Sequence, residues 1–208
     1  MWKRYEVKLQ IEERLAASMP KTKEEIEKML EYRVPTKVPD NATPLPELAD
    51  KIVQEVGVEP EIGWATFKRD ENGLYYEGRC VRGHIKDCAQ QIVSFFPDIK
   101  AFRAKVANKV YVETDKIYLG KDRPDGYEQR FIQVMTRQGP RSTYKFIDYV
   151  EKPILTFILR VLDDGVVTNE ILEAIFEYGG THGIGQERSQ GWGKYKLLRS
   201  VELQEVEK

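Results

Sequence analysis

Two stretches of this chain concentrate residues whose types and spacing could do chemistry. The first is Gly180-Thr181-His182-Gly183-Ile184-Gly185-Gln186-Glu187-Arg188-Ser189-Gln190-Gly191-Trp192-Gly193, and six of the chain's 15 glycines lie between 179 and 193. Glycine this dense is costly in backbone entropy and makes sense where the chain needs positive φ or lets a group approach its amides. Open amides beside Arg188, Lys194 and His182 would cradle an anion such as a phosphate. A nucleotide P-loop does not fit, because no Gly-Lys-Ser/Thr follows and the segment leads into a strand rather than a helix. The dinucleotide fingerprint fails for the same reason. The plainer reading is a long helix-to-strand loop with ordinary capping glycines.

The second stretch, residues 67–87, runs from a hairpin through Gly78 into a helix whose first turns carry Arg79, Arg82, His84 and Lys86. Cations at a helix N-terminus oppose the macrodipole. Their placement suggests a negatively charged ligand held by helix-terminal amides and basic side chains together. The alternative is a solvated charged face. His84 and His182 are the only histidines. They are weak candidates for general acid/base catalysis, since no orienting partner is evident for either and loop histidines near phosphates serve more often as simple ligands. Tyr75, Tyr76 and Trp192 could stack on bases, although alternate residues of a strand are as readily core. Trp192, between two glycines, is the one expected to be exposed.

Other chemistries find no footing. Cys80 and Cys88 are the only cysteines, eight apart, with no CxxC and no histidine set to complete a zinc site, so they read as reduced, partly buried thiols. No metal and no cofactor is expected. No paired carboxylates at motif spacing and no serine or cysteine with an orienting partner can be recognised.

The elements that must position these residues follow from pattern. Tyr5, Val7, Leu9 and Ile11 alternate with polar residues as a half-buried strand does. Thr22 and Glu25 form a capping box for a short helix, and a second helix is expected over 44–56, ended by Gly57. Residues 20–60 read as an acidic helical insertion; residues 21–61 hold ten Asp and Glu against six Lys and Arg. Hairpins are expected over 64–68 with 74–77 and over 109–113 with 116–119. A helix over 81–96 would commit Val81, Ile85, Ala89 and Ile92 to the core and turn Arg82, His84 and Lys86 partly or wholly outward. Strands at 130–136, 143–150 and 154–162 come next. Thr168 then caps a helix stopping at Gly179-Gly180, and a final strand covers 194–201. Without the insertion and extra hairpins this is a β-α-β-β-α-β order. It predicts an α+β, ferredoxin-like (RRM-type) antiparallel sheet with two helices in a single domain spanning 1–208.

Composition sets the frame. The 208 residues are 41% hydrophobic and 32% charged, with 33 basic against 34 acidic side chains and a net charge of −1. Any nucleic-acid surface must therefore be local. Residues 179–199 supply such a place, with four Lys and Arg against the single Glu187. No apolar run approaches a membrane span, and the N-terminus runs directly into a strand without a signal peptide, so a cytoplasmic protein with no membrane partner is expected.

Taken together, the two stretches resemble the RAMP superfamily of CRISPR effector complexes. Gly73-Leu74-Tyr75-Tyr76-Glu77-Gly78-Arg79-Cys80-Val81-Arg82-Gly83 is similar to its hairpin–glycine–helix pattern. Arg188-Ser189-Gln190-Gly191-Trp192-Gly193 is similar to the end of its C-terminal glycine-rich loop. The resemblance implies a subunit like the backbone subunits of type III complexes, binding single-stranded CRISPR or other guide RNA. By it, Arg79, Arg82, His84, Lys86, Gly180, His182, Gly183, Gly185, Arg188, Ser189, Gly191, Trp192, Gly193 and Lys194 form the RNA-binding set. Copies of itself or other effector-complex subunits are the implied protein partners. Two departures stand out. Arg79 and Cys80 replace the family's two small residues, and Gly63-Trp64-Ala65-Thr66 lacks the aspartate of target-cleaving members. The resemblance therefore implies RNA binding more than cleavage. The alternatives are a metal-independent endoribonuclease, and a scaffold or inhibitor protein of a mobile element that binds a protein through 20–60.

Overall fold

The computed structural model describes residues 1–20, 64–136 and 139–203. In chain order the strands are β1 (Trp2–Ile11), β2 (Arg14–Ala16), β3 (Met19–Pro20), β4 (Trp64–Thr66), β5 (Lys68–Asp70), β6 (Gly73–Glu77), β7 (Val110–Val112), β8 (Lys116–Tyr118), β9 (Gly126–Thr136), β10 (Gly139–Glu151), β11 (Ile154–Leu162) and β12 (Tyr195–Leu203). The helices are α1 (Gly78–Gln91), α2 (Phe102–Lys109) and α3 (Asn169–His182). The expected helices at 22–30 and 44–56, and the 20–60 insertion, lie outside the described residues. The described parts fall into two compact units, one from Met1–Leu15, Tyr76–Gly120 and Glu151–Lys208, the other from Ala16–Tyr75 and Lys121–Val150.

The first unit is built on a four-stranded sheet in the order β12-β1-β11-β7, every neighbouring pair antiparallel. Its chain order is β1-α1-β7-β11-α3-β12, with α2 leading into β7. The alternation of β1 buries Tyr5, Val7, Leu9 and Ile11. In register, Tyr5 lies opposite Leu159, Val7 opposite Phe157 and Leu9 opposite Leu155, all buried. One face of the sheet is thereby committed to the core. Helix α1 adds Val81, Ile85, Cys88 and Ala89, and α3 adds Ile171, Leu172, Ile175 and Phe176, all buried. The Phe157 and Phe176 rings meet at 6.4 Å between centroids. The architecture is α+β. Among the described residues no helix is long and apolar enough to cross a membrane.

Three local expectations change. Helix α1 begins at Gly78 and ends at Gln91, followed by a single 3-10 turn, Val93–Phe95. Strand β7 pairs with β11 rather than closing a hairpin on itself. Helix α3 does start at the Thr168 cap, whose Oγ1 accepts from the Ile171 amide at 3.4 Å, but it runs through both glycines to His182. A Cβ on Gly179 would sit 2.1 Å from the Tyr195 hydroxyl and 2.7 Å from His84 Nε2. The glycine is there so that those side chains can approach the helix, not to stop it.

In the second unit β9 and β10 form a long antiparallel ribbon, and β10 also runs parallel to β4, which pairs with β3. The turn after β5 brings Arg69 opposite Leu74. The expected 64–68 strand is thus divided: 64–66 joins the ribbon's sheet, and only 68–70 forms the hairpin.

Candidate nucleic-acid interface

The local sequence forces both stretches into their shapes. Gly78 opens α1 because a Cβ there would lie 2.0 Å from the Thr114 carbonyl oxygen. Its amide donates to the Asp115 carbonyl at 2.8 Å. The first turn of α1 carries no acidic residue. Arg79 is exposed and pairs with Glu77 at 2.6 Å. Arg82 is half-buried: its Nη2 donates to the Ala107 carbonyl at 3.2 Å, and its guanidinium lies 4.4 Å from the Tyr111 ring centre. It faces partly outward, as expected, and is held against α2 and β7. Lys86 is half-exposed.

His84 departs from expectation entirely. It is buried, with Nε2 2.9 Å from the Tyr195 hydroxyl and Cys88 Sγ at 3.6 Å. Burial, then the neighbouring His182 and Arg188, pushes its pKa down to about 4, with Asp87 opposing. At neutral pH it is an uncharged core group. The same burial pushes the Cys88 thiol up to about 12, so it stays protonated and unreactive.

The glycine-rich loop largely packs on itself. Gly183, Gly185, Gly191 and Gly193 all have positive φ. A Cβ on Gly183 would meet the Trp192 carbonyl oxygen at 2.8 Å, one on Gly193 the Ile184 carbonyl oxygen at 1.9 Å, and one on Gly180 the Tyr195 carbonyl oxygen at 2.6 Å. The Ile184 amide donates to the Gly193 carbonyl at 2.9 Å, closing the loop. Trp192, expected to be exposed, is only 6% accessible, with the Arg14 guanidinium 5.3 Å from its ring centre. The closed loop needs an apolar plug, and Trp192 and Ile184, both buried, provide it. Tyr75 and Tyr76 are likewise core. The loop's polar residues remain outside: Arg188, Ser189 and Lys194 are exposed, with Arg188 on a single 3-10 turn.

These parts converge at Asp87 on α1. Arg188 Nη1 donates to Asp87 Oδ2 at 2.9 Å, and His182 Nε2 lies 3.0 Å from the same oxygen. Arg188 Nη1 is also 2.6 Å from His182 Nε2. A neutral His182 with a bare Nε2 accepts from Arg188, whereas a protonated one donates to Asp87. The Arg188 hydrogen bond, then that of His182, holds the Asp87 carboxyl below the usual carboxylate range. The His182 ring stacks on Tyr178 at 5.5 Å and runs nearly parallel to His84 at 6.3 Å. The ion pair is exposed, with side chains 38% and 41% accessible, so it contributes only about 0–1 kcal/mol. A phosphate oxygen can therefore take the place of the carboxylate on Arg188 at little cost.

Neither Asp87 nor Tyr195 stands out in the sequence as a partner. The signal was nonetheless present: His84, Asp87 and Cys88 sit at i, i+3 and i+4 on one helix face. A further surface is visible in the sequence only as two strands. On the β9–β10 ribbon Tyr127, Phe131 and Tyr144 are exposed, and Phe131 and Tyr144, directly opposite in register, have ring centres 5.7 Å apart. Trp64 stacks on Phe146 at 5.0 Å and donates from Nε1 to Asp148 at 2.7 Å. Between Gln129 and Ile147 the sequence holds Arg130, Arg137, Arg141 and Lys145 and no acidic residue.

No protein-family model matches this chain, and no curated protein does. Among solved structures, a chain in the cryo-EM structure of the type III-B Cmr-beta bound to cognate target RNA is similar with a TM-score of 0.48 and 12% identity. The match covers 98% of this chain and 61% of that one, so the present chain spans less than two thirds of its neighbour's length. Similarity this distant leaves function to the site itself.

Proposed function

We propose that this chain is a non-catalytic, RAMP-like RNA-binding subunit that grips single-stranded guide RNA by its sugar-phosphate backbone. The observation that carries this reading is the Arg188–Asp87 contact, which joins the glycine-rich loop to α1. Two stretches about a hundred residues apart thus meet in a chain with nearly zero net charge, the loop supplying Arg188 and α1 supplying Asp87. The β12-β1-β11-β7 order supports the ferredoxin-like assignment, being the β-α-β-β-α-β plan with its last strand beside its first. The aromatic and basic ribbon suits base stacking beside a phosphate backbone. In this reading the protein is cytoplasmic and assembles with copies of itself or with other effector-complex subunits.

The Asp87–His182 pairing also favours a second reading, a metal-independent endoribonuclease, because an aspartate that orients a histidine is how a general base is held. Against it, the nitrogen facing Asp87 is the one that Arg188 occupies at 2.6 Å, which suits an anion grip better than proton abstraction. Specific RNA products that disappear in His182→Ala would establish the nuclease.

Replacing Arg188 and Lys194 together with alanine tests the binding reading. Affinity for single-stranded RNA is expected to fall about tenfold or more. The salt dependence of log K should flatten by about 1.4, two lost phosphate contacts at about 0.7 each. Unchanged affinity and slope in a folded double variant would remove this surface from the account.

A further inference from the structure

Beside the Asp87–His182–Arg188 cluster, in the same unit, lies an open groove of about 730 Å³. It is lined by Ile92, which caps the end of α1, by Phe95 of the 3-10 turn that follows, and by Ala174, Tyr178 and His182 of α3. The volume lies within the roughly 300–1,000 Å³ typical of small-ligand sites. We propose that this groove receives one nucleobase of the bound RNA strand, stacked between Phe95 and the Tyr178–His182 pair, with the adjoining phosphate on Arg188. The inference rests on the RNA-binding reading above and adds a base-contacting subsite to it.

Phe95 makes the case. It is 74% exposed, whereas the neighbouring Phe96 is stacked on Phe102 at 4.9 Å with the rings 14° apart. The fold thus half-buries one phenylalanine of the pair against Phe102 and leaves the other in water at the rim of the groove. A fully exposed ring forgoes about 1.5–3 kcal/mol of burial. Tyr178 and His182, which also line the groove, stack on each other with their rings 25° from parallel. A flat aromatic guest fits between flat walls better than a branched aliphatic one.

The polar groups fix the guest's orientation. Glu177 and Thr181 complete the lining. A carboxylate only accepts hydrogen bonds and repels phosphate, so Glu177 suits an N–H of the base or a ribose 2′-hydroxyl. The phosphate then falls to the opposite charge, Arg188, whose Nη1 is 2.6 Å from His182 Nε2. A hydrophobic side chain of a partner protein would use the apolar walls but make no use of Arg188, whose exposed pairing with Asp87 exchanges readily for a phosphate.

The experiment measures fluorescence anisotropy of the full chain with a short single-stranded RNA, beside the same length of abasic ribose-phosphate. Phe95→Ala, at so exposed a position, leaves the thermal melt unchanged. It is expected to weaken RNA binding about tenfold, within the range for one lost base–aromatic stack. Its salt slope should stay at the wild-type value, because no phosphate contact is lost. Phe95→Trp should restore affinity, and the abasic strand should bind Phe95→Ala and wild type equally. If Phe95→Ala binds RNA as wild type does while Arg188→Ala weakens it, the groove is not a base site and the RNA reading stands. If wild type binds no RNA, both fall. A Phe95→Ala defect equally large on the abasic strand would overturn base recognition and point to a structural role.

Discussion

Gly193→Ala is expected to destabilise the protein by about 2–5 kcal/mol, a large part of a typical total of about 5–15. Two costs combine. At φ +75° the residue lies in the left-handed region, where a side chain costs about 1–2 kcal/mol. The new Cβ would also lie 1.9 Å from the Ile184 carbonyl oxygen and 2.9 Å from the Ile184 amide nitrogen. Relief means parting the backbone pair that closes the loop, and forced overpacking costs about 1–3 kcal/mol more. Gly191→Ala isolates the first cost, since its φ is +84° but nothing lies within 4 Å of the added Cβ. Denaturant midpoints of the two variants give the comparison. Equal losses would mean that the loop does not pack on itself.

The second large effect is a dependence on pH carried by His84. Its pKa is 6.5 when unfolded and about 4 in the fold. The unfolded chain therefore binds more protons between those values, and stability falls as pH falls through that window. Above 6.5 the contribution is fully present; below about 4 it is gone. A shift of this size corresponds to roughly 3 kcal/mol. His84→Gln removes the titration while leaving a side chain that can still meet the Tyr195 hydroxyl. Its stability between pH 4 and 6.5 should decline less steeply than that of wild type, by urea titration at fixed salt. Parallel curves would show that His84 is not held neutral in the core.

Where local pattern coincides with packing, the fold was legible in advance. The alternation of Tyr5, Val7, Leu9 and Ile11, the α1 stripe and the Thr168 cap are all fixed by neighbours in sequence. The misreadings share a cause. His84 falls between the stripe residues Val81, Ile85, Ala89 and Ile92, which points it partly or wholly outward, yet with Val81, Ile85 and Cys88 it completes an i, i+3, i+4, i+7 face. Its burial becomes tolerable only because Tyr195, 111 residues away, supplies a hydrogen bond. Gly179-Gly180 looked like a helix stop because the group that needs their missing Cβ atoms arrives from β12. Trp192 looked exposed between its glycines, but those glycines fold the loop around it. The pairing of β7 with β11 is likewise non-local, and no turn residue announces it. For the site, the cations were visible in sequence and their organiser was not: Asp87 is unremarkable until His182 and Arg188 fold onto it.

The most direct measurement is filter binding of the intact chain to single-stranded RNA, single-stranded DNA and double-stranded DNA of one length, at 50 and 200 mM salt, with the same samples run on a denaturing gel. The account predicts saturable binding tightest to single-stranded RNA, loss of affinity at the higher salt as phosphate contacts release counterions, and intact RNA on the gel. Binding to none of the three, equal binding to all three, or affinity for RNA that ignores salt, would contradict the claim that this surface grips an RNA backbone.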